Sequence, residues 1–250
     1  DRLRSRGLGD VYKRQDILDN ERNIDLSNID LSNADLSDVN LSEANLSNIN
    51  LRNADLSGAD LRNVNLTNAN LKNVNLAYTD LRGAILVNAN LENANLSCAN
   101  LESINLGGTN LEYANLSGAD LIRADLENVN LENTNLTYVT LAYASLKNAN
   151  LSNANLSNAY LEKADLAYAN LEEANLKEAN LKEANLENAN LLNADLKKAN
   201  LEGVNLSYAN LKEADLENAN LINANLSFAI LRCANLTNVS LREANLESIN

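Results

Sequence analysis

The sequence predicts an all-β solenoid, and three regularities of the chain support this prediction. From Leu26 to Leu246 every fifth residue is leucine, 45 in a row without an insertion or a deletion. The residue two positions before each leucine is small, with 31 Ala, 7 Val, 4 Ile and 3 Thr. The residue immediately before each leucine is Asn 28 times and Asp 11 times. We therefore expect one tandem array of five-residue units over residues 24–250 rather than two globular domains.

A period of five does not suit the regular elements. On an α-helix five residues advance by about 500°, so successive leucines would be spread around the whole axis. On a straight strand an odd spacing sends alternate leucines to opposite faces. If the chain instead turns a corner every five residues, each short extended segment points its leucine to one interior. Four such segments close a square coil of 20 residues.

The small position belongs to the same interior, because side chains two residues apart on an extended segment share a side. Residues 20 positions apart then stack in one column. The column Ile24, Ala44, Val64, Ala84 and Ile104 alternates larger residues with alanine. This alternation is typical of a narrow, closely packed core.

The Asn or Asp before each leucine points outward, and in stacked coils these side chains form ladders. The two residues after the leucine make the corner. The second of them favours a type II turn with positive φ, being Asn or Gly at Asn28, Asn33, Gly58, Gly83, Gly108, Gly118 and Gly203. Where long side chains stand instead, at Glu173, Glu178 and Lys198, we expect the corner to avoid positive φ.

These A(N/D)LXX units resemble the pentapeptide repeat family. The resemblance covers about nine tenths of the chain and implies a right-handed quadrilateral parallel β-helix with four pentapeptides per coil. Residues 24–250 would form about 11 coils, a rod about 54 Å long at strand spacing. The resemblance also suggests a bacterial protein. Members of the family share a fold but not an activity.

The N-terminal region differs from the repeats. Residues 1–15, DRLRSRGLGDVYKRQ, are basic and unlike the rest in composition, and we interpret them as a cloning or assembly scar. The alternative is a natural basic arm or a targeting peptide. Residues 16–23 are off register and fit the remnant of an N-terminal cap. Because the chain has no Met and its repeat register runs to Asn250, we expect a fragment of a longer protein.

Nothing in the sequence predicts an enzyme, a cofactor or a catalytic residue. Histidine is absent, and the serines and acids lie on repeat-encoded ladders without a cleft. Same-face acids such as Asp35 and Asp55 offer two carboxylates where Ca²⁺ needs six to eight oxygens, so no metal site is expected. No run of 18 apolar residues predicts a membrane span.

The two cysteines give a hint about the compartment. Cys98 and Cys233 would lie about 32 Å apart at strand spacing, too far for a disulfide. Two free thiols favour a reducing compartment, and hence the cytoplasm, although the sequence does not identify it.

Charge leaves two hypotheses open. The repeats hold 29 acids and 14 bases, a net charge of −15. One hypothesis is a DNA-mimicking inhibitor or protector of DNA gyrase or another type II topoisomerase, as some pentapeptide proteins are. Duplex DNA carries one charge per about 1.7 Å, whereas this rod would carry one per about 3.6 Å. A mixed-charge surface is therefore the favoured interpretation, and direct nucleic-acid binding is not expected.

Aromatic residues provide the candidate site. Tyr168, Tyr208 and Phe228 share one corner column, with Asn188 between the first two. Tyrosine is enriched in binding interfaces, although stacked rings can also serve stability alone. Ile122 and Ile222 are expected to be scattered exposed residues on another face. The sequence thus favours a non-catalytic structural or protein-interaction scaffold with an unknown protein partner.

Overall fold

The computed structural model describes residues 24–250, and within them the chain forms a β-helical solenoid. This range contains neither a helix nor an extended strand. Instead, the residue before each leucine forms an isolated parallel β-bridge with the residue 20 positions further on, from Asp25–Asn45 to Asn225–Asn245 without interruption. We call each 20-residue return of the chain a coil. The expected scar at residues 1–15 and the expected cap at 16–23 lie outside the described residues.

Backbone hydrogen bonds join each coil to both of its neighbours. The amides of Leu51 and Asn53 donate to carbonyls of the next coil at 2.9 and 3.0 Å, and the amide of Asn50 donates to the previous coil at 3.0 Å. The amide of Ala54 closes the corner by donating to the Leu51 carbonyl at 3.0 Å. Four of the five amides of a repeat are thereby satisfied by the backbone.

The fifth amide explains the preference for Asn and Asp. The side-chain Oδ1 of Asn50 accepts the amide of Arg52, the first corner residue, at 3.2 Å. The Nδ2 of Asn50 also donates to Oδ1 of Asp30 in the previous coil at 2.9 Å, and Asn70 donates to Asn50 in turn at 2.9 Å. One side chain therefore caps its own corner and joins two coils, which leaves no amide of the repeat without a partner.

The leucines and the small residues form one continuous core. No leucine of the five-residue series from Leu36 to Leu226 exposes more than 2% of its surface, as the inward assignment predicts. Three inward positions carry threonine, and the hydroxyls of Thr79, Thr109 and Thr134 donate to the carbonyl of the preceding leucine at 2.6–2.7 Å. The core therefore accepts these polar residues with their hydrogen bonds made.

Every corner from Asn28 to Ser248 has positive φ at its second residue. The expectation that Glu173, Glu178 and Lys198 avoid it is wrong, since their φ angles are 57°, 59° and 56°. The left-handed conformation costs about 1–2 kcal/mol for a residue with a side chain. The hydrogen bonds between stacked coils outweigh this cost. The Glu173 amide can reach the Leu192 carbonyl, at 2.9 Å, only in the corner geometry that all coils share.

Candidate interaction surface

The predicted aromatic residues lie on one corner column, which we call the aromatic column (Tyr168, Tyr208 and Phe228). The rings of Tyr208 and Phe228 stack with centroids 4.9 Å apart and planes inclined by 6°. Both remain exposed, at 53% and 42%. Tyr168 is 60% exposed and is separated from Tyr208 by the coil that carries Asn188. The structure thus brings two of the three residues into contact and leaves the third on the same edge.

The residue before each of these rings explains how the rings lie on the surface. Ala167, Ser207 and Ser227 occupy the first corner position, and all three are buried, at 6%, 7% and 9% exposure. Most first corner residues are more exposed than this. A small residue followed by an aromatic one lets the ring lie across the corner, and this pattern is readable in the sequence.

The stacked pair is held in a costly conformation. Tyr208 and Phe228 both have φ of 60°, a region that bulky residues seldom adopt. The left-handed cost of about 1–2 kcal/mol for each residue compares with about 0.5–1.5 kcal/mol for an aromatic pair. The energy of ring stacking is therefore smaller than the cost of the left-handed backbone at the two residues. A merely structural role would be served better by Asn, which is the commonest residue at second corner positions.

A second aromatic arrangement was not found from the sequence. Tyr143 lies between two cations of its own column, with Arg123 Cζ 5.9 Å and Lys163 Nζ 5.6 Å from the ring centroid. The outer partners of the two cations are Glu102 at 3.7 Å and Glu183 at 3.6 Å. Glu183 and then Tyr143 raise the pKa of Lys163. The signal that could have found this arrangement is the 20-residue spacing of positions 123, 143 and 163.

Two other expected surface residues are less exposed than predicted. Ile122 and Ile222 were expected to be exposed, but both are half-buried. They occupy the first corner position, where the side chain lies against the corners of adjacent coils. The apolar character of these two positions is therefore partly used inside the solenoid.

Most basic side chains of residues 24–250 are paired with a carboxylate. Lys72 and Glu92 in adjacent coils approach to 2.8 Å, and Lys182 and Glu202 to 3.0 Å. Hydrogen bonds from Arg62 and Arg82 lower the pKa of Asp60 and Asp80. Such exposed pairs add little to stability, because water and salt screen them. Their main effect is to interrupt the negative field along the rod.

The described coils offer no site of another kind. Within residues 24–250 no group of three or more His, Cys, Asp or Glu side chains could hold a metal ion. In the same range no helix is long and apolar enough to cross a membrane. Cys98 and Cys233 are both exposed free thiols. Exposed aromatic residues are therefore the feature of this surface that points to recognition.

The fold and the repeat define a β-helical repeat protein, and comparison with known proteins specifies the family. The family model described as "Pentapeptide repeats (8 copies)" matches the chain over residues 22–53, 49–86, 75–112, 114–153, 144–182, 154–191, 169–207, 179–218 and 209–247. The chain belongs to the pentapeptide repeat family. No curated protein sequence matches it significantly.

Solved structures of the same family resemble the chain. HetL, a pentapeptide repeat protein involved in heterocyst differentiation regulation in the cyanobacterium Nostoc sp. strain PCC 7120, is 34% identical with a TM-score of 0.55, covering 95% of this chain and 98% of HetL. Rfr23 from the cyanobacterium Cyanothece 51142 is 36% identical over 52% of this chain and 89% of its own, with a TM-score of 0.15. QnrB1, a plasmid-mediated fluoroquinolone resistance protein, is 16% identical with a TM-score of 0.31, covering 91% and 90% of the two chains.

Proposed function

We propose that the protein is a non-catalytic scaffold that binds a protein partner through the aromatic column. In this proposal residues 24–250 form a right-handed quadrilateral rod of about 11 coils, about 54 Å long at strand spacing. The rod presents Tyr208 and Phe228 as a rigid anchor, with Tyr168 two coils away on the same edge. The observation that carries the proposal is the exposed, stacked ring pair of Tyr208 and Phe228.

Physical arguments favour recognition over stability for this pair. Aromatic side chains supply large contact area and lose little conformational entropy when they bind, so they dominate binding energy in many interfaces. The two rings are already fixed by each other and by their corners. A partner that covers them therefore gains apolar contact without ordering mobile side chains.

The absence of catalysis is part of the proposal. Pentapeptide repeat proteins are generally structural or interaction proteins. The repeat supplies carboxylates, hydroxyls and amides, but it uses them to cap corners and to join coils. Groups committed to such bonds are poor candidates for acid–base or nucleophilic chemistry. HetL, which resembles this chain over its whole length and is involved in regulation, supports an interaction role.

Matched aromatic variants test the proposal. The double variant Tyr208→Asn/Phe228→Asn removes the anchor and restores the residue usual at that corner. Tyr78→Asn/Tyr138→Asn removes two exposed tyrosines, at 70% and 60% exposure, from a different column. Each purified protein is used for quantitative affinity capture from an extract of the source organism. We expect at least one protein to bind the wild type and the control equally and the double variant at least tenfold less.

The same experiment can refute the proposal. If every captured protein binds the Tyr208/Phe228 variant as well as it binds the wild type, the aromatic column is not the binding site. Melting curves of all three proteins establish that each is folded. A direct binding titration with the identified partner then measures the loss of affinity for each ring separately.

The DNA-mimic alternative receives less support from the surface. A gyrase-binding mimic needs a continuous negative stripe, whereas ion pairs such as Lys72–Glu92 and Lys182–Glu202 interrupt the acidic ladder. A supercoiling assay with purified gyrase separates the two proposals. Inhibition at stoichiometric protein, abolished by salt, would favour the mimic. No inhibition at a large excess over gyrase would remove it for these residues.

A further inference from the structure

One junction between coils differs from all the others. We call it the 85/105 junction, formed by residues 83–88 and residues 102–108. The parallel bridge between Ile85 and Asn105 is present. The regular register also predicts bonds from the amides of Gly83, Leu86 and Asn88 to the next coil and from Asn105 back to Ala84. Among the described residues these four bonds are missing, while their equivalents are present at every other junction between complete coils except two neighbouring ones.

Those two exceptions are the amides of Gly108 and Asn130, which lack the bonds expected to Glu127 and Thr109. Both bonds would join residues 108–109, at the edge of the junction, to the coil that follows. The loosened contacts are therefore one contiguous group and not scattered irregularities. On the other side, the amide of Ile85 still donates to Val64 at 2.9 Å and its carbonyl accepts from Leu66 at 2.8 Å.

The side-chain ladder is broken at the same place. The side chain of Ile85 has neither a hydrogen-bond donor nor an acceptor. It can therefore neither cap its own corner nor pair with the side chain of an Asn in the next coil. Asn105, which faces it, turns its Nδ2 towards Asp125 in the following coil at 3.3 Å. The Asn–Asn and Asn–Asp ladder bonds elsewhere donate to the previous coil. Ile85 and Val87 are left 48% and 39% exposed.

A ladder break alone does not loosen the backbone. Ile230 breaks the ladder too, yet the amide of Leu231 donates to Asn250 at 2.7 Å and the amide of Asn250 donates to Ala229 at 3.1 Å. The 85/105 junction adds a second feature, because Val87 stacks on Gly107 and the next corner residue is Gly108. Two consecutive glycines supply no side chains to cover the corner and leave the backbone freer.

We propose that the 85/105 junction is the point at which the solenoid opens first, parting residues 83–88 from residues 102–108. In a solenoid each coil contacts only its neighbours, so a gap in the bonds at one junction lowers the local stability of the two coils that meet there. Opening presents the edges of two coils and the leucines beneath them. The rod therefore contains a hinge at a fixed position rather than uniform stiffness.

Hydrogen exchange followed amide by amide tests the proposal in the intact chain. Leu86, Asn88 and Asn105 are compared with Leu146, Asn148 and Asp165, which occupy the same register 60 residues later and make bonds of 2.7, 3.1 and 2.9 Å. We expect the first set to exchange at least tenfold faster. Equal protection of the two sets overturns the proposal.

Trypsin provides a second readout with an internal control. Arg62 and Arg82 lie one coil apart on the same column, each is bonded to its own aspartate at 2.6 Å, and each side chain is 49% exposed. Only Arg82 adjoins the junction. We expect cleavage after Arg82 at least tenfold faster than after Arg62, and equal rates contradict the hinge.

Repair of the ladder tests the cause. Ile85→Asn restores an acceptor for the Val87 amide and partners for the side chains of Asn65 and Asn105. It should reduce the tenfold excess of exchange and of cleavage to below threefold. Ile230→Asn, the same change where the backbone bonds are intact, should alter its local exchange less than twofold. An unchanged excess in Ile85→Asn refutes the role given to Ile85.

Discussion

Ile85 and Ile230 place the same side chain at the same position of the repeat, yet the backbone around them differs. Around Ile230 the bonds from the amides of Phe228, Leu231 and Asn250 are present, whereas their equivalents from Gly83, Leu86 and Asn105 are missing around Ile85. The comparison separates two kinds of support for a coil. Backbone bonds persist without the polar ladder as long as the next coil covers the corner. They fail where the ladder break faces two glycines.

The largest effect on stability is expected for a change in the core, which neither the backbone bonds nor the polar ladder can compensate. Leu126→Asp places a charge in a position that is 1% exposed, and it should cost more than about 4 kcal/mol. The charge should open intact and loosened coils alike and so erase the difference between them. Thermal unfolding measures the loss, with Asn130→Ser for comparison, which removes a corner bond and a ladder bond and should cost only about 1–2 kcal/mol. An unchanged melting temperature for Leu126→Asp would refute the inward assignment.

Ring stacking at a corner is a further contact between coils. Its contribution to stability can be measured by comparing two variants. Tyr208→Asn and Tyr168→Asn both relieve the strain of an aromatic residue at positive φ and both add an Asn next to Asn188. Only Tyr208 loses a ring partner, at 4.9 Å. Tyr208→Asn should therefore be less stable than Tyr168→Asn by about 0.5–1.5 kcal/mol in denaturant titrations. Equal stabilities would mean that the stacked pair contributes nothing.

The two glycines of the 85/105 junction predict a smaller effect, a gain in stability when one of them is replaced. Gly107→Ser introduces the residue that occupies the same column at Ser47, and it should stabilise the protein by about 0.5–1 kcal/mol through the unfolded state. The added Cβ lies 3.0 Å from Oδ1 of Asn105, a side chain that can shift. Ser47→Gly, in an intact coil, should cost a similar amount. Denaturant midpoints measure both changes, and a loss of stability in Gly107→Ser would exclude glycine as a cause of the weak junction.

The smallest effect on stability is expected for the ion pair of Asp80 and Arg82, which adjoins the 85/105 junction. The side-chain hydrogen bond from Arg82 lowers the pKa of Asp80. Because the pKa is lowered in the folded state, this pair stabilises the protein fully at pH values above the unfolded-state pKa of about 3.9. The stabilisation is lost as the pH falls further, through the folded-state pKa. Asp80→Asn should therefore make the melting temperature less dependent on pH between about 5 and 2. Asn100→Ser should leave that dependence unchanged, and an equal change in both variants would contradict the assignment.

Much of the fold could be predicted from the sequence because one rule repeats without exceptions. The inward leucines, the alternation of larger residues with alanine and the stacking at 20-residue spacing all follow from the period of five. The corners at Glu173, Glu178 and Lys198 could not be predicted from residue preference. Their conformation is set by bonds to the neighbouring coils, which outweigh what each residue favours alone.

The candidate surface could be predicted only in part, for a related reason. Adding 20 to a residue number finds its column, and this placed Tyr208 beside Phe228. The same addition joins Tyr143 to Arg123 and Lys163, and Val87 to Gly107, but these pairs matter only once distances are known. Whether a ladder break loosens the backbone depends on the coil that covers it, and no single position in the sequence carries that information.

The direction of the Asn ladder has a consequence for the electric dipole of the rod. In each regular repeat two inter-coil peptide N–H groups point towards the C-terminal end and one points back, which leaves one peptide dipole uncancelled. The ladder carboxamide points its N–H towards the N-terminal end, against that remainder. Unlike an α-helix, whose aligned peptides sum along the axis, this rod offsets the remaining dipole wherever a ladder Asn donates to the previous coil. Each such repeat therefore adds little to the field along the axis.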